Sequence, residues 1–272
     1  MKKRFIVLVD FSEYSGSLLK YAYGWSKQVK AELFLVHQTV VLTPSLTDST
    51  SRKIVTQYAN EQALQKMKEL IDTTLPPGAR VPYLVSESRL QLTLQKLLIE
   101  SFENLIFVGL KGTGLLKKIF IGSVAIKIID NTDNIVVAIP KDIISFSHGK
   151  IFVGVTEKHL LNTLELNSFL HFLDKGKINI TFFYLAKPHE KILGVEKKLK
   201  GLCELFSNRC NTAYTIYEGS SPFTEIKKVI NNKIGEILIV QKGSRLLKDE
   251  LFRKFMINEL VYEGQTPLIV LP

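Results

Sequence analysis

The sequence predicts an α/β protein with two tandem domains, each a five-stranded parallel sheet with helices on both faces. Two observations lead to this class. Short apolar runs alternate with helical segments along the first half of the chain, and the same alternation restarts near the middle. Alternating strands and helices imply right-handed crossovers and a parallel sheet, which is a Rossmann-like arrangement. The 272 residues are enough for two domains of ordinary size.

The first half contains five predicted strands, each an apolar run of the kind found in parallel strands that are buried on both faces. They are Phe5–Val9, Leu33–His37, Val81–Val85, Leu105–Val108 and Ile135–Ile139. Apolar stripes predict helices over Leu18–Val29, Ile54–Ile71, Leu90–Phe102 and a last segment that ends near Asn131. The polar stretch from Val40 to Arg52 predicts an exposed loop.

The second half repeats this order after a polar connector, Lys141–Lys150. Its predicted strands are Ile151–Val155, Ile178–Tyr184, Ala213–Tyr217, Glu236–Val240 and Pro267–Pro272, and its predicted helices are Leu160–Leu173, Leu193–Phe206 and Phe223–Ile230. We therefore place the domains at residues 1–142 and 148–272. The last apolar strand of each half has two candidate partners: its counterpart in the other half, as in an intramolecular pseudo-dimer, or a second chain, as in a homodimer.

Charge and hydropathy limit the class of function. The net charge is +10, but lysine and arginine are dispersed along the whole chain, which favours a solvated surface over a nucleic-acid site. No apolar run approaches the length of a membrane span. The run Phe5–Val9 is too short for the core of a secretory signal. We therefore expect a cytoplasmic protein that binds neither membrane nor nucleic acid.

The two cysteines, Cys203 and Cys210, lie seven residues apart on one predicted helix. That spacing places them about two turns apart on one helix face, which is too far for a disulfide. We expect both thiols to be reduced.

The segment Gly109–Ser123, GLKGTGLLKKIFIGS, separates a predicted strand from a predicted helix. Two residues separate Gly109 from Gly112, and nine separate Gly112 from Gly122. Glycines let backbone N–H groups approach an anion, and the start of a helix adds unpaired N–H donors. Ser123 can cap that helix or bind a phosphate oxygen. The pattern favours a phosphate-binding loop, and the alternative is an ordinary turn between a strand and a helix.

Asp10 directly follows the first predicted strand, and Gly109 follows the fourth. Because the carboxyl ends of parallel strands lie at one edge of a sheet, we expect both residues at the same edge, where ligands bind. A carboxylate there can accept a hydrogen bond from a ribose hydroxyl. The alternative is a loop aspartate that caps the following helix.

The second half lacks these features. Thr156 stands where Asp10 stands, and the strand that matches the fourth is followed by Gln241–Arg245, QKGSR. The segment that corresponds to Gly122 and Ser123 is about Ile257–Asn258. We therefore expect a degenerate second domain that keeps the fold without the glycine motif.

Three features of the first half resemble the universal stress protein family. They are VDFSEYS after the first strand, a second strand that ends in His37, and GLKGTGLLKKIFIGSV. The glycine spacing matches the family's nucleotide-binding signature, which is Gly, two residues, Gly, nine residues, Gly and then Ser or Thr. The resemblance is strong over residues 1–140 and weak over 146–272, and it covers the chain as a tandem arrangement.

The resemblance implies that ATP or a related adenine nucleotide binds at the strand ends of the first domain. In such members the residue at Asp10 contacts the nucleoside, and the residue at Gln38 contacts adenine through its backbone. The residues implied to line the ribose and the phosphates are Gly109, Gly112, Gly122 and Ser123, with Val124 beside them. Leu8 and Gln38 depart from the Pro and Val that are frequent in the family, so we expect an adenine pocket of altered shape.

We expect a stress-response or signalling protein without catalysis, in which the nucleotide biases conformation or association. His37 lies at a strand end, but no carboxylate or nucleophile is visibly paired with it. The alternatives are a slow ATPase that uses the same site and a nucleotide-free structural partner. No Cys/His cluster has metal-ligand spacing, so any metal is expected to be Mg²⁺ carried by the nucleotide.

Overall fold

The ten described strands form one continuous sheet, in the order β3-β2-β1-β4-β5-β10-β9-β6-β7-β8. The computed structural model describes residues 1–41, 48–110, 123–141, 143–156, 159–173, 176, 178–186, 189, 192–218, 236–242 and 266–272. The strands are β1 (Lys2–Leu8), β2 (Glu32–Gln38), β3 (Tyr83–Ser86), β4 (Phe102–Gly109), β5 (Ile135–Ile139), β6 (Lys150–Gly154), β7 (Asn179–Leu185), β8 (Asn211–Tyr217), β9 (Glu236–Gln241) and β10 (Leu268–Leu271).

Each half of the sheet is a parallel block of five strands, and the blocks meet at an antiparallel pair. The strands β1 to β5 pair in parallel, as do β6 to β10. At the junction β10 runs antiparallel to β5, with Ile269 opposite Val137. The α/β class with two five-stranded parallel arrangements is therefore confirmed. The last strands pair within the chain, which was one of the two arrangements left open.

Helices cover both faces of the sheet. The described helices are α1 (Ser15–Val29), α2 (Ser49–Thr74), α3 (Leu90–Leu98), α4 (Ser123–Asn131), α5 (Thr163–Leu170) and α6 (Leu193–Phe206). Buried residues of α1, α2, α5 and α6 share one hydrophobic cluster, and those of α3 and α4 share the cluster on the opposite face. Strands buried between two helical layers explain the uninterrupted apolar runs of the sequence.

Aromatic side chains join the two halves on the first of these faces. The ring of Trp25 stacks on Phe146 of the connector, with centroids 3.9 Å apart and planes inclined by 5°. The indole N–H of Trp25 donates a hydrogen bond of 2.8 Å to the carbonyl of Phe172, which follows α5. Both Trp25 and Phe146 are buried. The helix α1 thus packs against the connector and against the second half.

Two helix boundaries in the first half differ from prediction for identifiable reasons. The loop predicted over Val40–Arg52 extends too far, because the last four of these residues belong to α2. Asp48 accepts hydrogen bonds from the backbone N–H groups of Thr50 and Ser51 and so starts α2 at Ser49. The third helix was predicted to reach Phe102 but ends at Leu98.

The early end of α3 follows from a buried cation. The guanidinium of Arg4 is bonded to the carbonyl of Leu97 and, at 2.6 Å, to the Glu100 carboxylate. Its Nε donates to the side chain of Asn104 at 2.9 Å. These contacts turn the chain away from the helical path, and Phe102 begins β4 opposite Lys2.

Two predictions in the second half are also corrected. The helix predicted over Leu160–Leu173 is shorter, because Asn162 caps α5 by accepting from the N–H of Glu165 at 3.2 Å. Cys203 and Cys210 do not share a helix, since α6 ends at Phe206, and both are free thiols. The predicted helix over 223–230 lies outside the described residues.

Candidate functional site

A cleft of about 590 Å³ opens at the carboxyl ends of β1, β2 and β4. It is lined by the ends of these strands, by the loop that follows β1, by α2 through Gln62 and Lys66, and by α4 through Ala125. Of the described residues that line it, Lys66 is the one lysine or arginine and Asp10 the one carboxylate. Open parallel sheets bind their ligands at this edge.

Asp10 organises the loop between β1 and α1. Its Oδ1 accepts hydrogen bonds from the backbone N–H of Ser12 at 3.0 Å, from the Ser12 hydroxyl at 2.6 Å and from the Ser15 hydroxyl at 3.1 Å. The residue is exposed and lines the cleft. The predicted binding carboxylate is therefore at the expected edge, in an orientation set by two serines.

Phe11 was not among the predicted site residues, although it lines the cleft. Its φ is +55°, in the left-handed region, where a non-glycine residue is destabilised by about 1–2 kcal/mol. The half-buried ring packs on His37, with centroids 4.3 Å apart. Its position directly after Asp10 places it in the strand-to-helix loop, but the sequence gives no signal for its backbone conformation.

His37 is the penultimate residue of β2 and lines the cleft with a defined tautomer. Its Nδ1 lies 2.8 Å from the carbonyl oxygen of Val9, which can only accept, so Nδ1 carries the proton. Burial has the largest effect and lowers the pKa of His37, the hydrogen bond to the Val9 carbonyl and the charge of Asp10 oppose it, and Lys66 adds a smaller lowering. The imidazole is therefore expected to be neutral at pH 7, with Nε2 as its acceptor nitrogen.

Gln38, the predicted adenine contact, is the last residue of β2 and lines the cleft. Its side-chain oxygen accepts from the backbone N–H of Leu90 at 3.3 Å, at the start of α3. This bond satisfies one of the unpaired N–H groups at the helix start and gives a structural reason for glutamine at this position.

Gly109 is the last residue of β4 and lines the cleft between Asp10 and α4. Its φ is not in the left-handed region, and an added Cβ would lie 3.8 Å from Tyr14 and 3.9 Å from Leu18, which is ordinary contact. The fold therefore tolerates alanine here. What glycine preserves is open space and access to the backbone at the strand end.

The start of α4 is where the glycine pattern predicted it. This helix begins at Ser123 and its first turn includes Val124, while Gly112 and Gly122 lie outside the described residues. Ala125 in the same turn lines the cleft. The cleft thus brings Asp10, Gln38 and Gly109 together with the beginning of α4.

In the second half, a glutamine side chain occupies the strand end that corresponds to Gly109. Leu110 donates its backbone N–H to Ile139 at 3.0 Å, and Lys242 donates to Leu271 at 2.7 Å in the same way. Gln241 therefore occupies the position of Gly109.

The carboxamide of Gln241 fills this position with hydrogen bonds. It accepts from the N–H of Asn162 at 2.6 Å and donates to the carbonyl of Leu160 at 3.2 Å. Thr156, in the position of Asp10, donates to the carbonyl of His159 at 3.4 Å.

Two other kinds of site find no support in the part of the chain that the structure describes. No group of three or more His, Cys, Asp or Glu residues among the described residues is arranged to hold a metal ion. No described helix is both long enough and apolar enough to cross a membrane.

Solved structures with the same fold cover nearly the whole chain. A universal stress protein from Archaeoglobus fulgidus matches with a TM-score of 0.68 and 14% identity over 98% of this chain and 97% of that one. A putative universal stress protein from Pseudomonas aeruginosa UCBPP-PA14 matches with a TM-score of 0.55 and 14% identity, over 99% and 93%.

A third match carries a different description. The cytoplasmic domain of a prokaryotic cation chloride cotransporter matches with a TM-score of 0.51 and 11% identity, over 99% and 95%. At such low identities these likenesses show the fold alone, and one fold can serve several functions.

Sequence comparison places the first half in a family. No curated protein matches the chain by sequence. The model of the universal stress protein family matches residues 1–140, just over half of the 272 residues. The chain belongs to the universal stress protein family.

Proposed function

We propose that the first half binds an adenine nucleotide, ATP or a related adenylate, and that the protein acts in a stress response or in signalling without catalysis. Any Mg²⁺ would enter with the nucleotide. In this proposal the nucleotide biases the conformation or the association of the chain, and the second half is a permanent partner that keeps the fold without a site of its own.

The observation that carries the proposal is the cleft. Its volume of about 590 Å³ lies within the range of about 300–1,000 Å³ that is usual for small-molecule sites. It lies at the carboxyl ends of parallel strands, and α4 begins beside it at Ser123. The N-terminus of a helix offers N–H donors and a partial positive charge to a phosphate.

The residues around the cleft are suited to the parts of a nucleotide. Asp10 would accept a ribose hydroxyl, and the backbone at Gly109 would lie against the ligand without a Cβ between them. The ammonium of Lys66 on α2 would add positive charge to the cleft. The apolar strand ends, such as Val9 and Val108, would contact the base or the sugar.

Two substitutions at one residue test this site. Gly109→Ala adds a Cβ that meets its neighbours at 3.8 Å or more, so we expect binding close to that of the wild type. Gly109→Gln introduces the side chain that fills the equivalent position in the second half. We expect it to weaken ATP binding at least tenfold, measured by isothermal titration calorimetry, while circular dichroism shows an unchanged fold.

The nucleotide itself is identified by mass spectrometry of the purified protein and by titration with ATP and AMP. Absence of binding at millimolar concentration would reject the proposal. Phosphate release from ATP that disappears in Gly122→Val would instead support the slow ATPase.

A further inference from the structure

We propose that β8 is the interface of a homodimer, in which the same strand of a second copy of this chain pairs with it in antiparallel orientation and extends the sheet. Pairing of one edge strand with its own copy about a two-fold axis gives a closed, isologous dimer. The surface lies in the second half, at the end of the sheet remote from the cleft. The inference therefore does not depend on nucleotide binding.

The described strands leave two open edges, β3 and β8, because β5 and β10 already pair with each other. The strand β3 has four residues and follows Pro82. The strand β8 has seven residues, Asn211–Tyr217, and none of them is charged or a proline. Shortness, proline and charge are common protections of edge strands against the addition of another strand. Since β8 has none of these three features, it is the edge suited to pairing.

The hydrogen bonds between β7 and β8 show which backbone groups of β8 point away from the sheet. Asn211 donates its N–H to Ile178 at 2.8 Å, and Tyr217 accepts from the N–H of Ala186 at 3.0 Å. Because successive residues of a strand bond to opposite sides, the odd-numbered residues of β8 face β7. The N–H and C=O groups that point outward belong to the even-numbered residues, which are Thr212, Tyr214 and Ile216.

An antiparallel copy of β8 uses all of these outward groups in a single register. With Tyr214 opposite the partner's Tyr214, each Thr212 lies opposite Ile216 of the partner subunit. Residues that face each other in this way exchange both of their N–H···O bonds. Registers centred on Ala213 or Thr215 leave one of the outward residues of each chain without a partner. The register centred on Tyr214 is therefore the one we expect.

The charges at the ends of β8 suit the same register. Cys210 directly precedes the strand and Glu218 directly follows it, so these two positions would lie opposite each other in the dimer. Arg209 is one residue further along and is exposed, as is Glu218. The guanidinium of Arg209 also donates to the side chain of Asn167. Each end of the paired strands would thus bring a carboxylate of one chain close to a guanidinium of the other.

Thr212→Pro tests the backbone pairing, because proline removes an N–H that points outward and leaves the bonds to β7 in place. Its matched control is Thr212→Val, which keeps the N–H. Both variants lose the hydroxyl that donates to the carbonyl of Cys203 at 3.1 Å. By symmetry the proline removes two hydrogen bonds from the dimer, which should raise its dissociation constant by about 5- to 150-fold. Thr212→Val should dimerise like the wild type.

Glu218→Arg tests the register without touching the strand. It would bring like charges together at both ends of the pair, so we expect weaker dimerisation, with a deficit that shrinks as salt is added. Combining it with Arg209→Glu restores opposite charges and should recover the dimer. Both residues are exposed, so we expect the urea midpoints of these variants to stay close to that of the wild type.

Sedimentation velocity on the full chain, from micromolar to millimolar concentration, measures the dissociation constants. We expect the wild type to reach twice the 30.8 kDa mass of the chain. A wild type that stays monomeric at millimolar concentration would overturn the inference, as would a dimer that Thr212→Pro and Glu218→Arg both leave unchanged. Equal losses in Thr212→Pro and Thr212→Val would assign the effect to the hydroxyl and exclude the backbone pairing.

Nucleotide binding is measured separately, by calorimetry on the same proteins. Dimerisation of a wild type that binds no adenine nucleotide would support this inference while rejecting the proposed function. A charge-swapped double variant that remains as weak a dimer as Glu218→Arg would exclude the register centred on Tyr214.

Discussion

Replacing Phe146 by alanine should destabilise both halves of the protein together. Phe146 belongs to the connector between the halves, is 7% exposed, and stacks on Trp25 at 3.9 Å. Its ring also meets Tyr21 edge-on, with centroids 5.8 Å apart. The substitution therefore removes the ring by which the connector packs on α1, beside the contacts that Trp25 makes with Phe169 and Phe172 of the second half.

The expected loss has two contributions. Replacing a buried phenylalanine by alanine costs about 3–5 kcal/mol, which includes the cavity that remains. The stack on Trp25 accounts for about 0.5–1.5 kcal/mol of that amount. Because a connector relaxes more readily than a strand, we place the total at the lower end, about 3 kcal/mol.

Urea unfolding followed by tryptophan fluorescence measures this effect directly, because Trp25 is the one tryptophan of the chain. The matched control is Ile144→Ala, in the same connector but 55% exposed, for which we expect a change within about 0.5 kcal/mol. A loss below about 1 kcal/mol for Phe146→Ala would contradict the magnitude taken from Phe→Ala changes in cores. Equal effects of the two substitutions would show that the stack of Phe146 on Trp25 does not contribute measurably to stability.

Three further predictions follow from single side chains. The buried hydroxyl of Tyr21 has no hydrogen-bond partner in the described structure, so Tyr21→Phe should stabilise the fold by about 1 kcal/mol in urea unfolding, and a loss would refute this. Gln241→Ala leaves the N–H of Asn162 without its acceptor and should cost about 1–2 kcal/mol, and Gln241→Glu, which keeps that acceptor but sets a carboxylate oxygen against the carbonyl of Leu160, should also cost stability. Burial lowers the folded-state pKa of His37, so the unfolded chain takes up its proton first. Stability should be complete above about pH 6.5 and fall as the pH drops towards the folded pKa. His37→Phe should flatten this pH dependence, and an unchanged slope would assign it to other groups.

Much of the candidate site was predictable because it depends on strand ends. Asp10 and Gly109 follow apolar runs, and parallel crossovers place the ends of such runs at one edge. The start of α4 at Ser123 was likewise marked by a glycine followed by a capping residue.

Phe11 was not predictable in this way. A phenylalanine in the sequence does not indicate a φ of +55°. The hydrogen bonds from Ser12 to Asp10 hold Phe11 in this conformation. The sequence also did not show that the backbone at Gly109 is outside the left-handed region and that an added Cβ would make only ordinary contacts.

The amino-acid sequence by itself determined the alternation of strands and helices, the repeat of that order in both halves, and membership of the universal stress protein family. Only the tertiary structure decided that the two halves share one ten-stranded sheet through β5 and β10. An open strand edge needs backbone partners, and the other half of the chain or a second chain offers the same N–H and C=O groups. Side-chain patterns do not distinguish these partners. The contact of Trp25 with the Phe169 ring and its hydrogen bond to the Phe172 carbonyl bring the second half alongside the first within the chain.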